Sequence, residues 1–218
     1  MAFRRREKRT ELSKLDATPP WELKHRDEPA PTNGPYDVRD APEDDLTRVD
    51  LGALRVPIWP GVDLRLDVNE AQQVVFATLV TAEGQMQVGV FAAPRGEQIW
   101  DDVRAEIAVS LTSQGGRGQD GDGPYGTELV GTLQLPDGRA PVRFLAVQGP
   151  RWFLRAMIVG AAAADPAKAK AFEDAFGQIV VVRGNEPLPV REPVPLTLPK
   201  DIAEAAAAPA GADSDSGR

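Results

Sequence analysis

Apolar and polar residues alternate along most of the chain between residues 49 and 186. The clearest alternation is "VDLRLDVN" at 62–69, in which every second residue is apolar. A period of two places the apolar side chains on one face of a strand. Short turn sequences such as "TAEG" and "PDGRAP" predict hairpins between neighbouring segments. We therefore expect a largely antiparallel sheet of about seven or eight strands. The other segments that indicate strands are 49–58, 73–80, 85–92, 128–135, 142–148, 151–160 and 178–184.

Two segments repeat with a period near 3.6 and predict helices. The first ends at Gly115, because glycine favours a helix C-terminus. The second begins with Asp165 as N-cap and Pro166 in the first turn, and it ends at Gly177. With the strands around them, these two main covering helices predict an α+β fold. The apolar stripe of the first helix is Ile99, Trp100, Val103, Ile107 and Leu111, and that of the second is Ala169, Phe172 and Phe176.

Composition divides the chain into four parts. Residues 1–48 are rich in proline and charge, basic at first and then acidic, and they predict a disordered arm. Residues 49–186 form a single α+β domain. Residues 187–200 space their prolines through apolar positions and predict an extended strap. Residues 201–218 predict a disordered acidic tail.

Sequence composition also indicates the cellular compartment. The first residues are charged throughout, so they do not resemble a secretory signal. No segment approaches the roughly 18 apolar residues that a membrane-spanning helix needs. The chain has no cysteine, which suits a reducing compartment. We therefore expect a cytoplasmic protein with no membrane span.

The sequence contains few residues that could carry out catalysis. Without cysteine, and with His25 in the predicted arm as the one histidine, neither a Ser-His-Asp arrangement nor a transition-metal site is expected. Asp102 and Glu106 lie four residues apart on the polar face of the first helix. They would serve a hydrolase only if they lined a pocket that raised a pKa. We predict no catalytic residue, cofactor or metal, and we favour a non-enzyme.

A glycine-rich segment, "GGRGQDGDGPYG", contains the pattern G-x-G-x-x-G at Gly116, Gly118 and Gly121. A dinucleotide-binding loop must follow a strand and open a helix, whereas this segment follows a helix and precedes a strand. A single copy also departs from the calcium-binding repeat that it partly matches. The pattern therefore predicts a flexible connection between helix and strand.

The hairpin "GPRWFLRAMIVG" is the first candidate for partner binding. Strand alternation places Trp152 in an apolar layer, and Arg151 and Arg155 on a mixed face. We predict that Val147 pairs with Trp152 and Phe144 with Arg155. Arg155 then lies beside a helix or a groove, where it has either a structural role or a contact with an anion or partner. Both readings stay open from the sequence.

The predicted arm supplies the second candidate. Trp21, in "TPPWELK", is an isolated tryptophan in a polar, proline-rich context, which favours docking on its own domain or on a partner. The basic cluster that precedes it could contact nucleic acid, anionic lipid or an acidic protein surface. This cluster consists of Arg4, Arg5, Arg6, Lys8 and Arg9.

Several long phrases resemble an actinobacterial family with a domain of unknown function. They include "VDLGALRVPIWPGVDLRLDVNEAQQVV", "GVFAAPRGEQIWDDVRAEIA" and "VVVRGNEPLPVREPVPLTLPK", so the resemblance runs from about residue 35 to residue 200. It implies no activity and no catalytic residues. It also implies genes often found near those of a dUTPase and an OB-fold protein. The order of strands and helices is weakly similar to the Mog1/PsbP-type α/β/α sandwich.

These observations favour a non-catalytic cytoplasmic protein-binding or adaptor module. Its surface would combine Arg151, Trp152 and Arg155 with the glycine-rich segment and Trp21. A nucleic-acid-associated accessory protein that binds through the basic arm is the second hypothesis, and it predicts strongly salt-dependent binding. A hydrolase using Asp102 and Glu106 is the third. The sequence does not indicate an oligomeric state.

Overall fold

The computed structural model describes residues 34–71 and 73–198. These residues form eleven strands and three helices. The strands are β1 Tyr36–Asp37, β2 Arg48–Asp50, β3 Leu54–Pro57, β4 Asp63–Val68, β5 Val74–Thr81, β6 Gly84–Ala92, β7 Arg117–Gly123, β8 Gly126–Leu135, β9 Gly138–Gly149, β10 Trp152–Val159 and β11 Val180–Val181. The helices are α1 Trp100–Ser113, α2 Ala161–Ala164 and α3 Pro166–Gly177.

The main sheet has seven antiparallel strands in the order β4-β5-β6-β10-β9-β8-β7. This confirms the predicted α+β class with a largely antiparallel sheet. A second, four-stranded sheet, in the order β1-β11-β3-β2, was not predicted as a separate layer. It arises because the segment at 49–58 turns at Gly52, with φ of 75°, and forms two short strands. None of the described helices is long and apolar enough to cross a membrane.

The largest core lies between one face of the main sheet and a layer made of α2, α3 and the small sheet. Leu154, Ala156 and Ile158 of β10 pack there with Phe172 and Phe176 of α3. The predicted start of α3 is confirmed, because the Asp165 side chain accepts a hydrogen bond from the Ala167 N–H at 2.9 Å. Because side chains alternate along β10, Leu154, Ala156 and Ile158 all point into this core.

Helix α1 covers only part of the opposite face. Its apolar stripe packs on β8, β9 and β10 through Leu111 against Leu129 and Phe144, and through Trp100 against Phe153. Among the described residues, no helix covers this face of β4, β5 and β6. The sheet therefore has a filled side and a half-covered side.

The glycine-rich segment is a strand, so the prediction of a flexible connection is wrong. Residues 117–123 form β7 and pair with β8 along their whole length. A Cβ on Gly118 would lie 3.2 Å from side-chain atoms of Leu111 and Leu129 and 3.3 Å from the Ala108 backbone. Glycine is needed at 118 because the strand runs directly beneath α1 there, whereas Cβ atoms at Gly121 and Gly123 would meet Val130 and Glu128 of β8.

The predicted register of the β9–β10 hairpin is also wrong, by two residues. Trp152 pairs with Gly149 and Arg155 with Ala146. A two-residue turn, Pro150 and Arg151, closes the hairpin directly, with φ of 64° at Arg151. A shift of two residues leaves every side chain on its predicted face, because the side-chain period of a strand is two.

The proline-rich strap occupies a fork in the main sheet, which is the gap where strands β5 and β6 separate. Strands β5 and β6 pair from Thr81 to Ala77 and then separate. The strap enters the gap: Val194 donates its N–H to Val90 of β6, and Leu196 donates to Val74 of β5. Both strap side chains are buried in the main core. The strap therefore serves as an extra piece of sheet.

Candidate functional site

Trp152 lies in the interior rather than on a binding surface. Its side chain is 2% exposed, and its indole Nε1–H donates to Asp37 Oδ2 at 2.9 Å. Burial raises the pKa of Asp37, but hydrogen bonds from Arg39 and Trp152 outweigh it and hold that pKa below its ordinary value. This contact ties β1 to the domain, although the sequence places Asp37 in the predicted arm. In this fold, Trp152 has a structural contact in place of the predicted partner contact.

Arg155 lies on the half-covered face, as its strand position predicts. Its neighbours across β6 and β9 are Gly89 and Ala146, which leave space above the backbone. The guanidinium carbon lies 5.0 Å from the centroid of the Phe91 ring. Burial lowers the pKa of Arg155. Among the described residues, no carboxylate pairs with it to offset that effect.

An aromatic row runs across the same face beside Arg155. Phe91 lies between Phe76 and Phe153, at centroid distances of 6.2 Å to each. Phe153 continues the row to Trp100 of α1 at 5.9 Å. Gly89 permits this arrangement, because a Cβ there would lie 2.6 Å from the Phe76 ring. Phe76 and Phe91 are half-buried, while Phe153 is buried beneath α1.

A polar cluster lies at the far side of the aromatic row. Asp67 accepts hydrogen bonds from Thr78 Oγ1 at 2.6 Å and from Gln87 Nε2 at 3.1 Å. Register places these groups on the face of β4, β5 and β6 that carries Arg155. We call the surface formed by this cluster, the half-buried phenylalanines and the arginine the open face. Its members are Asp67, Phe76, Thr78, Gln87, Phe91 and Arg155.

Arg151 lies at the turn that leads into β10, just outside the strand that carries Arg155. Its backbone adopts φ of 64°, a left-handed conformation that glycine adopts more readily. The Arg151 carbonyl accepts from the Ala93 N–H at 3.1 Å and from Arg183 Nε at 3.2 Å. These contacts join the Arg151 backbone to Ala93 and Arg183, and a joint partner surface of Arg151 and Arg155 stays a prediction.

The strongest ionic cluster was missed from the sequence. Arg143 of β9 donates to both Glu128 oxygens, at 2.9 and 3.0 Å, and to Glu173 of α3 at 2.8 Å. Glu128 is 1% exposed, and burial raises its pKa against the opposing effect of Arg143. The cluster borders a cleft of about 440 Å³. The sequence did carry one signal for this cluster. Glu128 and Arg143 are charged residues at core-facing positions of two predicted strands.

The acids of the hydrolase hypothesis lie on the surface. Asp102 and Glu106 are 73% and 65% exposed, and both pair with Arg191 of the strap. The hypothesis required them to line a pocket, so the geometry does not meet its condition. Residues 34–71 and 73–198 contain no group of three His, Cys, Asp or Glu side chains that could hold a metal ion.

Two predicted binding elements lie outside the described residues. Trp21 is one of them. The other is the basic cluster of the arm, Arg4, Arg5, Arg6, Lys8 and Arg9. Both stay predictions.

Comparison with known proteins gives a family and a distant likeness of fold. No curated protein matches the sequence. The solution structure of cyanobacterial PsbP (CyanoP) from Synechocystis sp. PCC 6803 is similar, with a TM-score of 0.42 and 13% identity. The match covers 62% of this chain and 92% of that one. The profile of a family described as "Protein of unknown function (DUF3710)" matches residues 34–205. The chain belongs to the DUF3710 family.

Proposed function

We propose that this protein is a non-catalytic, cytoplasmic binding module whose open face receives a protein partner, with a partner carboxylate pairing with Arg155. The observation that carries the proposal is Arg155 itself. It is a half-buried guanidinium on the half-covered face of the main sheet, stacked on Phe91 and without a carboxylate partner among the described residues.

The energetics of Arg155 favour a ligand over a purely structural role. Taking a charge out of water without a counter-ion costs several kcal/mol. A cation–π contact such as that with Phe91 offsets about 0.5–2 kcal/mol of this cost. A bidentate carboxylate would satisfy both the charge and the unused N–H donors. A binding role accounts for a group that the fold alone leaves incompletely compensated.

The surroundings of Arg155 indicate what kind of partner fits. Phe76 and Phe91 supply apolar area, and Gln87 supplies an amide that can exchange hydrogen bonds at the edge of the contact. Aromatic residues and arginine at the centre of a contact, with polar groups around them, are typical of protein interfaces. We therefore expect a partner segment that presents an acidic side chain next to an apolar one.

Quantitative affinity capture from the native host tests the proposal. The full-length chain would be compared with Arg155→Met, which retains the length of the side chain without its charge. Arg117→Met, at an exposed position on β7, is the matched control. We expect one protein to be enriched equally by the parent chain and by Arg117→Met, and at least about tenfold less by Arg155→Met, since a lost charge-assisted contact costs 1.5–3 kcal/mol.

Equal capture by all three forms would overturn the proposal. Nuclease treatment of the lysate separates it from the nucleic-acid hypothesis. Enrichment that disappears with nuclease and with removal of the basic arm, but not with Arg155→Met, would favour that hypothesis instead.

A further inference from the structure

A second pair of arginines lies at the end of the main sheet that carries the β9–β10 turn. Arg151 occupies the β9–β10 turn, and Arg183 follows β11. The Arg183 guanidinium is held by two backbone carbonyls, with Nε donating to Arg151 at 3.2 Å and Nη1 donating to Glu186 at 3.1 Å. These bonds fix the plane of the guanidinium and leave Nη2 available for another acceptor.

The Arg183 guanidinium lies against the backbone of Arg151, because its Nε donates to the Arg151 carbonyl at 3.2 Å. Burial, followed by the positive charge of Arg151, lowers the pKa of Arg183, and the Glu186 carboxylate offsets this only in part. Among the described residues, no carboxylate forms an ion pair with either guanidinium. Neighbouring guanidinium groups without a carboxylate partner attract an anion.

The backbone at Arg151 supports a role for its side chain. A turn with φ near +60° at this position favours glycine, and another residue there costs of order 1 kcal/mol. Arginine contributes no compensating hydrogen bond from its side chain to the described residues. The chain thus places a cation at a strained position beside a second cation.

We propose that Arg151 and Arg183 bind a phosphate monoester. Two guanidinium groups match a group with about 1.5–2 negative charges and three acceptor oxygens better than they match a singly charged carboxylate. The phosphate could belong to a small phosphorylated molecule or to a phosphoserine side chain. The recognition chemistry is the same in both cases, and the site does not depend on the open face.

Titration of the full-length, isotope-labelled chain with inorganic phosphate, followed by NMR, tests this site. Chloride at matched ionic strength is the reference. We expect saturable shifts at the Ala93 and Trp152 amides and at the Arg183 Nε–H. The Arg151→Gly variant suits the left-handed backbone and should retain its fold, but it should bind at least about tenfold more weakly. Arg139→Gln, at an exposed position on β9, should bind like the parent chain.

Titration with a phosphoserine peptide and with its unphosphorylated form then identifies which kind of molecule carries the phosphate. Binding of the phosphopeptide at least tenfold tighter than phosphate would assign a protein ligand, and equal affinity would assign a small phosphorylated molecule. Shifts that do not saturate, that chloride reproduces, or that persist unchanged in Arg151→Gly would overturn the proposal. The native spectrum of Arg151→Gly distinguishes loss of the site from loss of the fold.

Discussion

Two residues of one strand, Trp152 and Arg155, have opposite relations to their surroundings. Trp152 is buried with its donor satisfied by Asp37, so it contributes to the fold. Arg155 is half-buried without a counter-ion among the described residues, so its charge acts against folding. Strand alternation explains the difference, since the two side chains point to opposite faces of the sheet. The predictions at this scale concern what each side chain does for stability.

Replacing Arg155 by methionine should stabilise the protein. The change removes an unpaired charge from a low-dielectric site and retains apolar contact with Phe91. We expect the free energy of unfolding, measured by urea denaturation, to rise by about 1 kcal/mol. The exposed control Arg117→Met should stay within about 0.5 kcal/mol of the parent chain. A loss of more than about 1 kcal/mol in Arg155→Met would show that the arginine is structural.

Replacing Trp152 by phenylalanine should destabilise the protein by about 1–3 kcal/mol at neutral pH, because Asp37 loses a buried hydrogen-bond donor. The pKa of Asp37 is lowered in the folded state, so its contribution is present above its unfolded pKa of about 3.9 and is lost as the pH falls through the folded value. The difference in unfolding free energy between the parent chain and Trp152→Phe should therefore narrow below about pH 4. A difference that does not change between pH 7 and pH 3 would contradict this account of Asp37.

Some helices and strands are specified by local sequence signals, and others depend on the elements that pack against them. Helix α3 carries its own start and stop signals, and α1 carries a regular apolar stripe, so both could be predicted. Strand β7 could not, because its glycines reflect the closeness of α1 and β8 rather than any local preference. The ionic cluster of Arg143 joins two strands to α3 and depends on which strands become neighbours.

The glycines of β7 and β8 provide a prediction at this scale. A Cβ on Gly131 would overlap the Arg117 carbonyl of the paired strand. Gly131→Ala should therefore lower the free energy of unfolding by at least about 1–3 kcal/mol, as overpacking does in cores. Gly61→Asn is the control, because nothing lies within 4 Å of a Cβ at that position, and asparagine tolerates its φ of 86°. Equal stability of the two variants in chemical denaturation would contradict the close approach of β7 to β8.

At the scale of the whole molecule, the strap joins the two sheets. Its Val194 and Leu196 hydrogen-bond to β6 and β5, and Thr197 donates its N–H to Leu51 beside the small sheet. Arg191 pairs with Glu106 and Asp102, which ties the strap to α1 as well. The prolines of this segment indicated its extended form. They did not indicate the fork that receives it, which depends on where β5 and β6 separate.

A chain that ends at Glu186 should therefore lose much of its stability. Burial of one valine and one leucine is worth about 3–6 kcal/mol, which approaches the total stability of many domains. A chain that ends at Lys200 keeps the strap and is the matched control. Thermal unfolding should show a Tm at least about 6 °C lower for the shorter chain. Similar Tm values for both chains would mean that the strap only lies against the sheet.

The central claim is that the open face around Arg155 contacts a protein partner, and cross-linking from that face tests it most directly. A photoreactive amino acid would replace Gln85, which is exposed on the same side of β6 as Gln87. The exposed turn residue Asp137 would serve as the control position. We predict a single cross-linked protein from Gln85 in native cells, none from Asp137, and loss of the Gln85 product when Arg155 is also methionine. A product of equal yield with and without Arg155, or one formed equally from Asp137, would contradict the account.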